Sequence, residues 1–339
     1  MKKIKNAAVI LLVLLSSQCY GQDPSFSQFF SSPLNINPAL TANINADWRL
    51  ISNIRDQWIG PASPYITGSV SFDRKILQNK MPGVEEGNVL GVGGMLMFDH
   101  AMGGVAKSMW ASLNLSYNVK LVNEEDNMHK LGIGFGAIYG RRTVDFNRLD
   151  FEEQFTGYGF NVNLPTGEAA LSNMKPYISA SAGLTYSYTT EKSNIDIGAA
   201  VFHFNKPKQT FLENENQILA MRKVAHSNFE TFLNEKMVLN VNGIYQFQDE
   251  AKYFSIGGAV GYFLDDPDLS LINAGVWYWS KNAIVPYVGL TYKDMQFGVS
   301  YDLTVSKLNQ ATRKPNTFEV SIILRGTKGP SGIIPCPWK

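Results

Sequence analysis

Between residues 109 and 121 apolar and polar positions alternate without a break. Met109, Ala111, Leu113, Leu115, Tyr117, Val119 and Leu121 form one set, and Trp110, Ser112, Asn114, Ser116, Asn118 and Lys120 form the other. A period of two puts each set on its own face of a β-strand, one greasy and one wet. The same dyad runs through Leu131, Ile133, Phe135, Ala137 and Tyr139, with Lys130, Gly132, Gly134 and Gly136 opposite. It returns in Ile178, Ala180, Ala182, Leu184, Tyr186 and Tyr188, and again in Met295, Phe297, Val299, Tyr301, Leu303 and Val305. These runs are about 9 to 13 residues long, against about 5 to 6 for soluble strands and about 9 to 11 for a tilted strand that crosses a bilayer. Leu115 and Phe135 are then expected to face lipid, while Asn114 and Gly134 face a lumen and tolerate polar change better. The Gly, Ser, Asn and Thr of the alternate faces suit a hydrated lumen, and aromatics at segment ends, such as Trp277 to Trp279, suit interfacial girdles. A secreted soluble sandwich or propeller also alternates and is the competing reading of the pattern alone.

Segments of this kind fall at 47–57, 65–75, 89–100, 107–121, 129–141, 177–188, 194–204, 223–233, 237–248, 252–263, 269–280, 285–293, 295–305 and 316–325. Fourteen is an even number, as a single-chain bacterial barrel requires. The poorest alternation is in 223–233, KVAHSNFETFL. The extended connections are 76–88, 142–176 and 205–222, and 142–176 is too long for a turn, so an external loop or an inward-folded plug is expected there. The fold expected is all-β, a transmembrane antiparallel β-barrel of about 14 strands over 47–325.

The first residues fix the compartment. MKKIKNAAVILLVLLSSQCYG carries three lysines in its first five positions and an apolar run from Ala7 to Leu15, then small and polar residues. That is a secretory signal, and the run is far short of the roughly 20 residues a membrane helix needs. Cleavage is expected after Gly21, leaving Gln22 as the new N-terminus; acylation at Cys19 is disfavoured by Gln18 before it. No later apolar stretch reaches the length of a membrane helix, so a membrane position requires a closed barrel. Composition agrees: 17% of residues are charged and 45% hydrophobic, which excludes a disordered chain, and 30 basic against 29 acidic residues excludes a generally basic nucleic-acid binder. Loss of Lys2, Lys3 and Lys5 leaves 27 basic against 29 acidic residues and one cysteine, Cys336, with no partner for an internal disulfide.

Candidate chemistry is sparse, and no enzyme, cofactor or metal is expected. The four histidines (100, 129, 203 and 226) have no HExxH spacing, and His203 is read as a lumenal or rim residue. There is no GxSxG elbow and no Walker lysine loop; GVGGM at 91–95 lies within an alternating strand, where glycine lightens a wall. The acid pairs Glu85-Glu86, Glu124-Glu125 and Glu152-Glu153 fall in loops, where solvated charge accounts for them.

The stretch QDPSFSQFFSSPLNINPAL, from Gln22 to Leu40, resembles the opening of the PorP/SprF family, outer-membrane proteins of type IX secretion and gliding in Bacteroidetes-type bacteria. Gln22, Asp23, Pro24, Phe26, Ser27, Gln28 and Phe29 match the family's QDP-x-FSQF start, and Pro33, Leu34, Asn37, Pro38 and Ala39 its PL-x-x-NPA element. Arg49, Arg55, Gln57 and Trp58 are similar to its arginine-then-QW strand, and GVGGMLMFDHAMGG, AVFHFNKPKQTF, YDLTVSKLN (with Tyr301 and Asp302) and TFEVSIIL follow in the expected order. The end, CPWK, keeps Cys336 and Pro337 of the family's Cys-Pro-Arg-Phe and departs at Trp338 and Lys339. The resemblance implies a non-enzymatic barrel in the outer membrane that assists export or surface attachment of a large adhesin-like cargo, in contact with lipid and other type IX secretion components and not with nucleic acid. A solute porin or hydrophobic-compound channel is the alternative. The expected layout is a signal peptide (1–21), an ordered segment packing in the barrel or against its periplasmic rim (22–46), the barrel, and a periplasmic tail (326–339).

Overall fold

The computed structural model describes residues 22–60, 63–78, 88–124, 127–166, 175–209, 218–266, 268–310 and 314–326. The expected signal peptide lies outside them, as do Cys336, Pro337 and the rest of the tail beyond Gly326. The strands are β1 (Trp48–Ile59), β2 (Tyr65–Gln78), β3 (Val89–Ala101), β4 (Ala106–Glu124), β5 (Asn127–Val144), β6 (Tyr177–Thr190), β7 (Ser193–Phe202) and β8 (Arg222–Asn234). They continue with β9 (Met237–Gln248), β10 (Ala251–Phe263), β11 (Leu269–Trp279), β12 (Ala283–Tyr292), β13 (Met295–Tyr301), β14 (Leu303–Thr304) and β15 (Asn316–Gly326). β13 and β14 are one strand interrupted at Asp302, since both pair with β12, so the ring has fourteen strands. Each strand pairs antiparallel with its neighbours, and β1 closes on β15 from Trp48↔Gly326 to Ile59↔Asn316. A closed ring leaves no strand edge unpaired, the condition for backbone in a bilayer. Among the described residues no helix is long and apolar enough to cross a membrane.

The dyad pattern sorts the residues as the sequence implies. In β4, Trp110, Ser112, Asn114, Ser116 and Asn118 are buried inside the ring, while Met109, Leu113 and Leu115 are exposed outside it, Leu113 to 73%. In β12, Val285 and Tyr287 point in and Ile284, Val288 and Leu290 point out. The weak segment at 223–233 is a full strand, β8. Its alternation is obscured because the inward positions carry Arg222 and Glu230, which are buried, and an outward one carries Lys223.

The two mouths differ. One holds the start of β1, the end of β15 and the short turns at 191–192, 235–236 and 293–294. The other carries the long connections 145–176, 203–221 and 305–315. The described part of 145–176 is not a plug. It makes two short 3-10 turns and a bridge between Phe155 and Phe160, and Tyr158 at its tip is fully exposed.

The lumen is filled by residues 22–46. Phe26, Phe29, Leu34, Ile36, Ala39, Ala42, Ile44 and Ala46 are buried there, as are the polar Ser27, Gln28, Ser31, Asn37 and Thr41. Proline pre-sets two short helical turns, Pro33–Ile36 and Pro38–Leu40, because its fixed φ suits the first helical position and its missing N–H is not needed there. Asn37 caps the second turn, its Oδ1 accepting from Ala39 N at 2.8 Å. Three-proline stiffness and eight buried apolar side chains together explain why this segment is ordered, since little entropy is lost and much apolar surface leaves water.

Candidate functional site

The segment runs the whole length of the barrel. Arg49 and Asp73, near the short-turn mouth, hold its last part: Ala42 N donates to Asp73 Oδ2 at 2.7 Å, and Arg49 Nη2 donates to Asp73 at 2.8 Å and to Leu40 O at 3.4 Å. Midway, Asn37 Nδ2 donates to Leu184 O at 3.0 Å, and Ser116 Oγ donates to Thr41 O at 2.5 Å. Glycines allow this approach. A Cβ on Gly134 would overlap the backbone of Pro38 and Ala39, and one on Gly183 would overlap the Asn37 side chain. The expectation that Gly134 tolerates polar change therefore does not hold, because the position it faces is occupied by plug backbone and not by water.

Two charged clusters meet the plug near the long-loop mouth. In the first, Arg55 of β1 donates to Asp302 Oδ2 at 2.7 Å and to Ser25 O at 2.6 Å, lies 3.6 Å from Glu319 of β15, and stacks 4.5 Å from the Trp279 ring. Glu319 accepts from the backbone of Ser27 (2.7 Å) and Gln28 (2.9 Å), and the Ser27 hydroxyl donates to Asp302 at 2.8 Å. Gln28 completes the contact: its amide donates to Ser300 Oγ and its oxygen accepts from Ser321 at 2.7 Å. All five of Ser27, Gln28, Arg55, Asp302 and Glu319 are buried, so each charge has to be paired or hydrogen-bonded, and two carboxylates oppose one guanidinium with backbone N–H groups supplying the balance.

In the second cluster, Asp23 sits 2.7 Å from His203 Nε2 and 3.1 Å from Arg222 Nε, while its own backbone N–H donates to Gln248 at 2.9 Å. Burial alone would raise the Asp23 carboxyl, but Arg222 and His203 outweigh it and hold it well below the usual carboxylate range. Arg222 also donates to Asn35 O at 3.0 Å and stacks 4.1 Å from the Phe202 ring. His203 has a left-handed φ of 58°, unusual for a non-glycine residue, and is fixed there by Asp23 and by Ser179 at 2.6 Å. Between plug and wall remain cavities of about 20 Å³, lined by Asp23, Leu34, Met97 and Trp110, and about 70 Å³, lined by Phe30, Ile36 and His226. These hold one and a few water molecules. Aromatic rings close the remaining space, with Phe30 4.6 Å from Trp277 and edge-on to Tyr287.

Of the residues singled out in the sequence, Asp23, Pro24, Phe26, Ser27, Gln28, Phe29, Pro33, Leu34, Asn37 and Pro38 lie in this plug, and Arg55 and Asp302 meet it. Gln22 is exposed at the long-loop mouth, so the segment reaches from one mouth to the other inside the ring. The Gln57 carboxamide faces the Arg55 guanidinium at 3.1 Å. Trp58, left-handed at φ 63°, is on the outer wall against Tyr65, and Tyr301 stacks on Phe318 and donates to Asn316. Sequence reasoning missed Glu319, Arg222, Asp73 and Gln248. The available signal for Glu319, Arg222 and Asp73 was a charge at an inward position of a strand, which obliges a partner; the uncharged Gln248 offered none. Among the described residues no group of His, Cys, Asp and Glu could hold a metal ion.

The profile of the type IX secretion system membrane protein family PorP/SprF matches residues 18–324. The chain belongs to that family. Among curated proteins no match is found. Similar solved structures include a TodX monoaromatic hydrocarbon channel deltaS2 mutant (TM-score 0.50, 10% identity, 86% of this chain and 93% of that one). The Pseudomonas putida toluene transporter TodX (0.49, 10%, 91% and 98%) and the Ralstonia pickettii toluene transporter TbuX (0.45, 10%, 87% and 94%) are also similar. At such identity the first shows the fold alone, and the other two carry no further argument. Family and fold together support an outer-membrane location for this PorP/SprF protein.

Proposed function

We propose that this PorP/SprF protein is a plugged, non-enzymatic outer-membrane barrel of the type IX secretion and gliding machinery, which assists export or surface attachment of a large adhesin-like cargo. The observation that carries the reading is the family match over most of the chain, and the lumen supports it, because among the described residues the N-terminal segment occupies the space a solute would cross. Long loops face the exterior in outer-membrane barrels and short turns the periplasm. On that rule the 145–176 connection, with Phe155, Tyr158 and Phe160 exposed, is the surface a cargo meets. The segment after Gly326, with Cys336 and Pro337, is then a periplasmic contact for other secretion components, and the signal peptide is removed near Gly21/Gln22.

The test is deletion of the chain followed by comparison of surface proteins. Loss of a large surface protein, restored by the full chain and not by one lacking residues 327 to 339, is the expected result. An unchanged surface complement, together with solute flux through the purified barrel in a planar bilayer, would overturn the secretion role in favour of a channel.

A further inference from the structure

At the short-turn mouth two exposed lysines pair with carboxylates, Lys236 with Asp265 and Lys293 with Asp268 at 3.5 Å. Near the long-loop mouth, Lys223 of β8 and Lys252 of β10 point outwards, are exposed, and have no ion pair among the described residues. Register places both directly opposite Phe247 of β9, so the three form one row across adjacent strands. Lys223 Nζ lies 5.9 Å from the centre of the Phe247 ring. One row nearer the middle of the wall stand Tyr245 and Phe254, paired with each other and half-exposed outwards. Lys107 and Arg141 repeat the layering elsewhere on the wall, exposed and outward beyond Tyr139 and Leu113.

Outward aromatics line the interface beside the hydrocarbon, and a residue two positions farther along a strand tilted about 40° stands about 5 Å farther out. Lys223 and Lys252 are thus at the level of headgroup phosphates. Their backbones are two strand spacings apart, about 10 Å, which four-carbon stems close easily onto one anion. The geometry points to a binding site for a phosphate-bearing lipid headgroup at Lys223, Phe247 and Lys252, the ring packing against the lipid's apolar portion between two ammonium groups. The inference rests on the membrane placement of the barrel. An acidic peptide fits less well, because the row lies on the same outward face as Tyr245 and Phe254 and opens sideways toward lipid.

The experiment uses the purified full chain in phosphatidylcholine vesicles containing a minor fraction of phosphatidylglycerol, with retained lipid measured by native mass spectrometry after detergent extraction. A Lys223→Gln/Lys252→Gln double variant is compared with Lys236→Gln/Lys293→Gln, heat-modifiable migration on gels confirming that each barrel is folded. About 1 kcal/mol per lysine near an anionic surface corresponds to about thirtyfold weaker phosphatidylglycerol retention in the first variant and none lost in the second. Phe247→Leu is expected to weaken retention while both charges remain. Equal retention by both double variants would overturn the site, and displacement of the lipid by millimolar inorganic phosphate would show an anion site that does not read lipid. Failure of the wild-type chain to insert into any vesicle would instead refute the membrane placement, a separate result from insertion without selectivity.

Discussion

Replacing Gly134 with valine separates the wall of this barrel from its contents. Valine suits a strand, so β5 gains propensity and its pairing with β4 and β6 is undisturbed. Its Cβ, however, would stand 2.5 Å from Ala39 Cα and closer still to Pro38 C and Ala39 N, where ordinary contact begins near 3.4 Å, so plug backbone has to retreat by about 1 Å. Overpacking of this kind costs about 1–3 kcal/mol. The strain falls on the docked plug, and at about 1.4 kcal/mol per tenfold its opening equilibrium rises about 5- to 140-fold. Hydrogen exchange in the folded protein reads this directly: amides of residues 35–42 lose protection by that factor while those of β4 and β5 keep theirs. Single-channel recordings should show openings that the wild type lacks. Unchanged protection of residues 35–42 would refute the claim that plug backbone lies on this glycine.

Leu115→Arg places a charge on the lipid face and should cost about 2–4 kcal/mol of barrel stability, read by urea unfolding in vesicles, whereas Asn114→Ser inside should cost much less. Arg55→Ala leaves Asp302 and Glu319 buried without their cation and should weaken docking of residues 25–28 by about 3–5 kcal/mol, seen as accelerated proteolysis of the N-terminal segment. Because the docked state lowers the Asp23 carboxyl from 3.8, its contribution is fully present above about pH 4 and is lost as pH falls below that. Protection factors of residues 23–28, corrected for intrinsic exchange, should therefore drop between pH 5 and pH 2, and Asp23→Asn should remove the dependence.

The wall was readable because its code is local. Each strand announces its own phase by period two, as in 109–121, and β8 escaped clear notice only where buried Arg222 and Glu230 replaced apolar or small inward residues. The plug could be foreseen as ordered from Phe26, Phe29, Leu34 and its prolines. Its partners could not, since Glu319 meets Ser27 and Gln28 across about 290 residues of chain, a separation set by ring closure. Gly134 reads from the sequence as a position facing an open lumen, whereas it and Gly183 leave clearance for another segment. Polarity of the lumenal face likewise suggested water, although side chains such as Asn53 and Ser321 are spoken for by plug groups.

The contacts of residues 25–31 bear on the order of assembly. Ser25 and Ser31 accept from Arg55 and Asn53 of the first strand, while Ser27 and Gln28 bond to Glu319 and Ser321 of the last. This segment, which precedes the first strand, thus bridges the two strands that must find each other last, and it can hold an open sheet in register before the final ladder forms. A chain shortened to begin at residue 40 would have to seal its ring without that template, so its defect should show as slow closure and accumulation of an unsealed sheet, with the hairpins from β2 to β12 formed on time.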